Sequence, residues 1–75
     1  MVGYVLFQSG QAAARAEVVL RREGLPVRLV PVPRQLSAEC GTALSFDPHD
    51  GLIQQVQESL RVAEVPFVAV HQLDG

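Results

Sequence analysis

The stretch TALSFDPHD, residues 42–50, joins a strand pattern directly to the start of a helix. Its first five residues are mostly apolar and begin with a β-branched side chain, so they predict a strand. Asp47 then suits an N-cap and Pro48 the first helical position, while the carboxylate of Asp50 suits the positive end of a helix. We therefore expect a strand that runs straight into a capped helix.

Downstream of this stretch, the chain continues as a helix and a short strand. Apolar residues recur at helical spacing on one stripe, which is formed by Ile53, Val56, Leu60 and Ala63. Pro66 ends this helix, and residues 67–70 predict the next strand. The tail, residues 71–75, is expected to be weakly structured.

Upstream, the same kind of unit occurs once more. Residues 3–7 predict an opening strand, and Ser9 suits the N-cap of a helix over residues 11–23. The apolar stripe of that helix is formed by Ala12, Ala16, Val19 and Leu20. Gly24 suits the end of the helix, and residues 27–30 predict a second strand.

The two units resemble each other in sequence. Phe7 matches Phe46 at an offset of 39, and residues 25–27 match residues 65–67 at an offset of 40. Two βαβ units of near-equal length predict an α+β fold, a ferredoxin-like βαββαβ split sandwich. Right-handed crossovers then favour a four-stranded antiparallel sheet in the order 4-1-3-2, with both helices on one face.

The repeat also assigns residues to the two faces of the predicted sheet. The face toward the helices is expected to carry Val5, Phe7, Val27, Leu29, Leu44, Phe46, Phe67 and Ala69. The open face is expected to carry Tyr4, Leu6, Arg28, Val30, Ala43, Ser45, Val68 and Val70. Tyr4, Leu6, Val68 and Val70 would be contiguous there, which predicts a surface for a homodimer or for a partner protein, unless the patch is simply tolerated.

Length and composition exclude several classes of protein. Seventy-five residues with 48% hydrophobic content predict one folded domain over residues 1–75. A net charge of −2 argues against nucleic acid as a partner, and all six cations are Arg, which excludes lysine chemistry. The chain starts without the pattern of a signal peptide and has no apolar run long enough for a membrane span, so a cytoplasmic protein is expected.

The long connection between the second and third strands carries the one reactive candidate, Cys40. Ser37 could cap a short helical turn that would place the thiol near free backbone N–H groups. Arg34 would lower the pKa of the thiol, whereas Glu39 would raise it. Gly41 would leave space beside the sulfur or permit a turn that other residues resist. The residues alone leave open a second interpretation, in which Cys40 is packed as a small hydrophobe.

Other sites are weakly indicated. His49 and His71 are expected at the surface, and a single cysteine excludes a cysteine-rich zinc site. A metal site of Cys40, His49 and Asp50 has no standard ligand spacing, and nothing orients a histidine toward the thiol. A triad of Ser37, His49 and Asp50 rests on composition alone. No cofactor and no metal are expected.

The loop motif resembles a known family. The resemblance is carried by Val32-Pro33-Arg34, Ser37, Cys40-Gly41 and the following Ala43-Leu44-Ser45-Phe46. These residues are similar to the putative selenium/sulfur carrier-like domains, and the similarity covers nearly the whole chain. The resemblance implies Cys40 as the thiol carrier, supported by Arg34, Ser37 and Gly41. Glu39 departs from the family motif, which often has a small residue there.

Two functions of different classes are therefore expected to compete. In the first, Cys40 accepts sulfur or selenium as a persulfide or perselenide from a donor protein and hands it to an acceptor, as a carrier or accessory protein more than as an enzyme. In the second, the chain is a non-catalytic binding or assembly module with a structural cysteine. RNA binding is a third and weaker interpretation, because the predicted sheet lacks paired aromatic residues on its central strands.

Overall fold

A computed structural model describes residues 1–36, 41–49 and 51–74. The elements are β1 (Val2–Leu6), α1 (Gly10–Arg22), β2 (Arg28–Pro31), β3 (Thr42–Phe46), α2 (Leu52–Val62) and β4 (Ala69–Leu73). The predicted α+β class, with two helices and four strands, is confirmed. Within the described ranges, no helix has the length and apolar character needed to cross a membrane.

The four strands form one antiparallel sheet in the order β2-β3-β1-β4. Counted from the other edge, the same neighbours read β4-β1-β3-β2. Val5 lies at the centre of the sheet, opposite Leu44 of β3 on one side and Val70 of β4 on the other. The two strands next to each other in sequence, β2 and β3, are joined as a hairpin at one edge.

Both helices pack against one face of this sheet and form the core with it. The fully buried helical residues are Ala13, Ala16 and Leu20 of α1 and Val56 and Leu60 of α2, and they meet Val5, Phe7 and Leu44. The predicted apolar stripes are confirmed, because Ala12, Val19, Ile53 and Ala63 also pack against this cluster. Burial of one large aliphatic side chain contributes about 1.5–3 kcal/mol, so these stripes hold the helices to the sheet.

The residues that cap α1 are those that the sequence predicts, although the helix begins and ends one residue earlier than expected. The hydroxyl of Ser9 accepts a hydrogen bond from the Ala12 amide at 3.1 Å, which satisfies one of the free donors of the first turn. At the other end, Gly24 adopts a φ of 80°, and the Leu25 amide donates to the Leu20 carbonyl at 3.0 Å. This is the Schellman arrangement, which needs a left-handed residue after the helix.

The predicted start of α2 is wrong. The helix begins at Leu52 with Gly51 as its N-cap, at a φ of 77° and with no side-chain cap. Asp47 does not cap it. Instead, the His49 amide donates a hydrogen bond to the Asp47 carbonyl at 3.0 Å, which forms a tight turn before the helix. Asp50, which was expected in the first turn, lies outside the described residues. A tight turn therefore replaces the first helical turn that Pro48 suggested.

The predicted extent of the last strand is also wrong. β4 covers residues 69–73, so the tail expected to be weakly structured is hydrogen-bonded to β1 as far as Leu73. The reason is that β1 offers partners along its whole length, including Val2 opposite Leu73. This register also reverses two assigned faces, since successive strand residues point to opposite sides. Val70 is opposite Val5 on the helix side, whereas Ala69 is opposite Leu6 on the open side.

Gly3 has a steric role in β1. A Cβ atom on Gly3 would lie 2.6 Å from the Phe46 ring, closer than real contacts allow. Phe46 is itself only 4% exposed. Glycine at this position therefore lets the aromatic ring lie directly over the strand.

Candidate functional site

The centre of the predicted thiol site lies outside the described residues. Ser37, Glu39 and Cys40 all fall in this part of the chain, so their predicted contacts stay predictions. The structure does describe Arg34 and Gly41, which flank them in sequence. The surroundings of the site are therefore described from these two flanking residues.

The two ends meet at the base of the β2–β3 hairpin. The Val32 amide donates to the Gly41 carbonyl at 3.1 Å, which extends the ladder by one step beyond the pair of Pro31 and Thr42. A further turn follows, in which the Leu36 amide donates to the Pro33 carbonyl at 3.0 Å. The connection thus leaves the sheet from a closed, hydrogen-bonded base.

Arg34 and Gly41 are both exposed at this base. The Arg34 guanidinium forms no ion pair or hydrogen bond with any other described residue. Gly41 does not adopt a left-handed φ, so the turn that was one of its two predicted roles is not formed. A Cβ atom on Gly41 would meet no described atom within 4 Å. Its other predicted role, of leaving space beside the Cys40 sulfur, stays a prediction.

The start of α1 lies at the same end of the sheet. Leu6, the last residue of β1, is opposite Ala43 near the start of β3, and Ser9 begins the helix three residues later. The first turn of α1 contains no acidic residue, so the positive end of its dipole is not neutralised by the helix itself. The loop base and the N-terminus of α1 therefore lie at the same end of the sheet.

The predicted partner surface is not one exposed apolar patch. Leu6 lies on the open face but is only 2% exposed, and Ala43 beside it is fully buried. Val70 lies on the opposite face and packs against the core. Val68 is 56% exposed but precedes β4. Tyr4 remains, half-buried, on the open face.

The structure does not bring His49 to the loop base. Gly41 precedes β3 and His49 follows it, so a strand of five residues, about 17 Å at 3.4 Å per residue, separates the two. His49 is exposed, and its Nδ1 lies 3.0 Å from the Asp47 carbonyl oxygen. Within the described ranges, no three His, Cys, Asp or Glu side chains cluster as metal ligands. His49 therefore does not lie at the base of the loop that carries Cys40.

Sequence reasoning missed a polar row across the open face. One residue from each strand contributes to it, in direct register: Arg28, Ser45, Tyr4 and His71. Three of these were assigned to this face, but His71 was placed in the tail. No alternation of apolar and polar residues in the sequence could have found it, because the strand from Ala69 to Leu73 reads AVHQL.

Comparison with known proteins gives one match. A family model described as "Putative Se/S carrier protein-like" matches residues 2–72. No curated protein matches the chain, and no solved structure matches it. Because the family model covers nearly the whole fold, from β1 into β4, the chain belongs to this family of Se/S carrier-like proteins.

Proposed function

We propose that the protein carries sulfur or selenium on the thiol of Cys40. The observation that carries this proposal is the family match over residues 2–72 in a chain with a single cysteine. A carrier of this kind needs one thiol that can hold a second chalcogen atom, and no other side chain of the sequence can do so.

The transfer proceeds by thiol exchange. The Cys40 thiolate attacks the outer sulfur of a donor persulfide, a new S–S bond forms, and the donor sulfur leaves with the electron pair as a thiolate. An acceptor thiolate then removes the outer sulfur from Cys40 by the same step, which regenerates the free thiolate. A donor with a terminal selenium atom yields a perselenide in the same way. No external oxidant or reductant is consumed.

The described surroundings support an ionised thiol. Arg34 is exposed without a partner among the described residues, and the α1 end near the loop base has no acidic residue in its first turn. An exposed helix end and an exposed cation each stabilise a nearby anion by about 0.3–1 kcal/mol. Glu39 opposes them in sequence. A modest lowering of the thiol pKa is therefore the expected result.

The proposal also includes the topology of the fold, the cellular compartment and the partner proteins. The strand order and the placement of both helices on one face support a ferredoxin-like split sandwich. A free reactive thiol requires a reducing compartment, which favours the cytoplasm. The partners are then a donor and an acceptor protein, each of which presents its own thiol or selenol. In this proposal, Ser37 and Gly41 support the loop that carries Cys40.

Persulfide loading tests the proposal directly. The folded protein is incubated with glutathione persulfide, and its intact mass is measured before and after reduction. We expect one added sulfur atom that dithiothreitol removes, and none in Cys40→Ser. The matched control is Arg15→Gln, whose exposed site on α1 lies away from the loop base and should load as the natural chain does. A folded chain that gains no sulfur would overturn the carrier function.

The rate of iodoacetamide labelling against pH tests the state of the thiol. We expect labelling of the folded protein with a midpoint below pH 8.5, the pKa of a free cysteine. Arg34→Ala should slow labelling at pH 7 by about two- to fivefold, because a loss of 0.3–1 kcal/mol in thiolate stabilisation corresponds to that factor. Labelling only after unfolding would mean a packed cysteine and would favour the binding or assembly module.

A further inference from the structure

We propose that Leu36 anchors the β2–β3 connection on the open face of the sheet and thereby positions the Cys40 thiol. The anchor itself involves only residues that the structure describes, and it stands on burial and topology. Its role as a positioning residue rests on the proposed carrier function, because it acts through the thiol that would carry the chalcogen atom.

Two apolar side chains are buried on the face away from the helices. Leu6 is 2% exposed and Ala43 is fully buried, and they lie opposite each other in the β1–β3 register. Neither belongs to the core cluster that the described helices form with the other face. An antiparallel sheet often leaves one face to water, where a leucine side chain would be largely exposed. Another part of the chain therefore covers this buried pair.

The connections at this end of the described sheet decide which segment that is. Phe7, which follows β1, belongs to the helix-side core. Before β4, Phe67 packs against the same core, and Val68 is 56% exposed although its amide donates to the Leu6 carbonyl at 2.7 Å. These two connections therefore lead away from the open face, and the β2–β3 connection is left to cover it.

The described part of the β2–β3 connection turns one side toward the protein. Pro33 and Leu36 are half-buried, whereas Arg34 and Gln35 between them are exposed. The Leu36 amide donates to the Pro33 carbonyl at 3.0 Å, so the turn brings its two apolar ends together. Leu36 has the largest apolar side chain of this turn, and we therefore place it over the buried pair.

The anchor is close in sequence to the thiol. Leu36 lies four residues before Cys40, and on the other side the Gly41 carbonyl accepts a hydrogen bond from the Val32 amide at 3.1 Å. The segment that carries the thiol is thus tied to the sheet on both sides. A cation or a helix end stabilises a thiolate only where the two are held close together, so this tether favours the ionised form.

Methyl cross-peaks from the nuclear Overhauser effect test the anchor without using the thiol. Apolar side chains in contact lie within about 4.5 Å, close enough for such cross-peaks. In the folded natural chain we expect them from Leu36 to Leu6 and to Ala43. Their absence would overturn the anchor, whatever the sulfur-loading experiment gives.

The pH dependence of iodoacetamide labelling tests the positioning role. Leu36→Ala should raise the labelling midpoint of Cys40 by about 0.2–0.7 pH units, toward pH 8.5, because the freed connection no longer holds the thiol near its stabilising neighbours. Gln35→Ala, an exposed position in the same turn, is the matched control and should keep the natural midpoint. Leu36→Met retains an apolar side chain of similar volume and should also keep it.

The outcomes separate the anchor from the carrier function. The amide spectrum reports whether each variant is folded, and Leu36→Val, a smaller truncation, replaces Leu36→Ala if the latter is unfolded. The positioning role is overturned if the truncated variant keeps the natural midpoint or if Gln35→Ala shifts it equally. A natural chain that shows the cross-peaks but gains no sulfur would keep the anchor and overturn the carrier function alone.

Discussion

The two halves of the molecule end their helices with the same turn, but with different residues in its left-handed position. Both helices end in the Schellman arrangement, with the Leu25 amide bonded to Leu20 in one half and the Val65 amide bonded to Leu60 in the other. The left-handed position is Gly24 in the first half, at a φ of 80°, and Glu64 in the second, at 58°. Packing of Leu25 and Val65 back onto the core imposes the turn in both halves, even where the residue resists it.

The helix starts differ as well. α1 begins at Gly10 with the Ser9 side chain as its cap, whereas α2 begins at Leu52 after a turn, and its N-cap Gly51 has no side chain to accept a hydrogen bond. The first half is therefore better fitted at both ends of its helix. The comparison shows that the core positions of the repeat are held in common, while the helix ends have diverged.

The largest expected effect comes from breaking the shared core. Leu20→Ala and Leu60→Ala remove equivalent, fully buried side chains, and each should lower the free energy of unfolding by about 2–5 kcal/mol. Urea denaturation followed by circular dichroism measures both. If one of the two costs less than about 1 kcal/mol, the two helices do not share one core equally.

A smaller effect is expected from Gly3→Ala. The added methyl group would meet the Phe46 ring, so overpacking should lower the free energy of unfolding by about 1–3 kcal/mol. Gly10→Ala is the matched control, because nothing lies within 4 Å of its Cβ position. Thermal unfolding compares the two, and equal midpoints would contradict the close contact of β1 with the ring.

The smallest effects sharpen the comparison of the helix ends. Glu64→Gly should relieve the left-handed strain and raise the free energy of unfolding by up to about 1 kcal/mol. Gly24→Ala should lower it by a similar amount, about 1 kcal/mol, because alanine resists a positive φ. Denaturant midpoints measure both changes. A loss of stability in Glu64→Gly would show that the Glu64 side chain contributes more than its backbone strain costs.

How well each feature of the fold can be predicted depends on how far apart its interacting residues lie along the chain. The helical stripes, the Ser9 cap and the Gly24 terminus depend on neighbours within one or two turns, and the structure confirms them. The start of α2 could not be read in the same way, because Asp47 and Pro48 fit a helix start and a tight turn equally well. Which of the two forms is decided at Gly51, because its positive φ makes it the N-cap and the helix starts after it, at Leu52.

The candidate site likewise has features that the sequence predicts and features that only the folded sheet shows. The motif around Cys40 and the family membership follow from the order of residues along the chain, and the family model matches residues 2–72. The polar row across the open face could not be grouped by sequence, because Arg28, Ser45, Tyr4 and His71 come from four different strands. Only strand pairing makes them neighbours.

The sequence by itself determined the α+β class, the two helical stripes and the one thiol that can carry a chalcogen. These properties depend on local periodicity and on residue chemistry, which any conformation of the chain retains. The tertiary structure decided how far β4 extends, that Val70 faces the helices, and that His71 joins the polar row. It did so because the register of a strand is set by its partner, and β1 is distant from β4 along the chain.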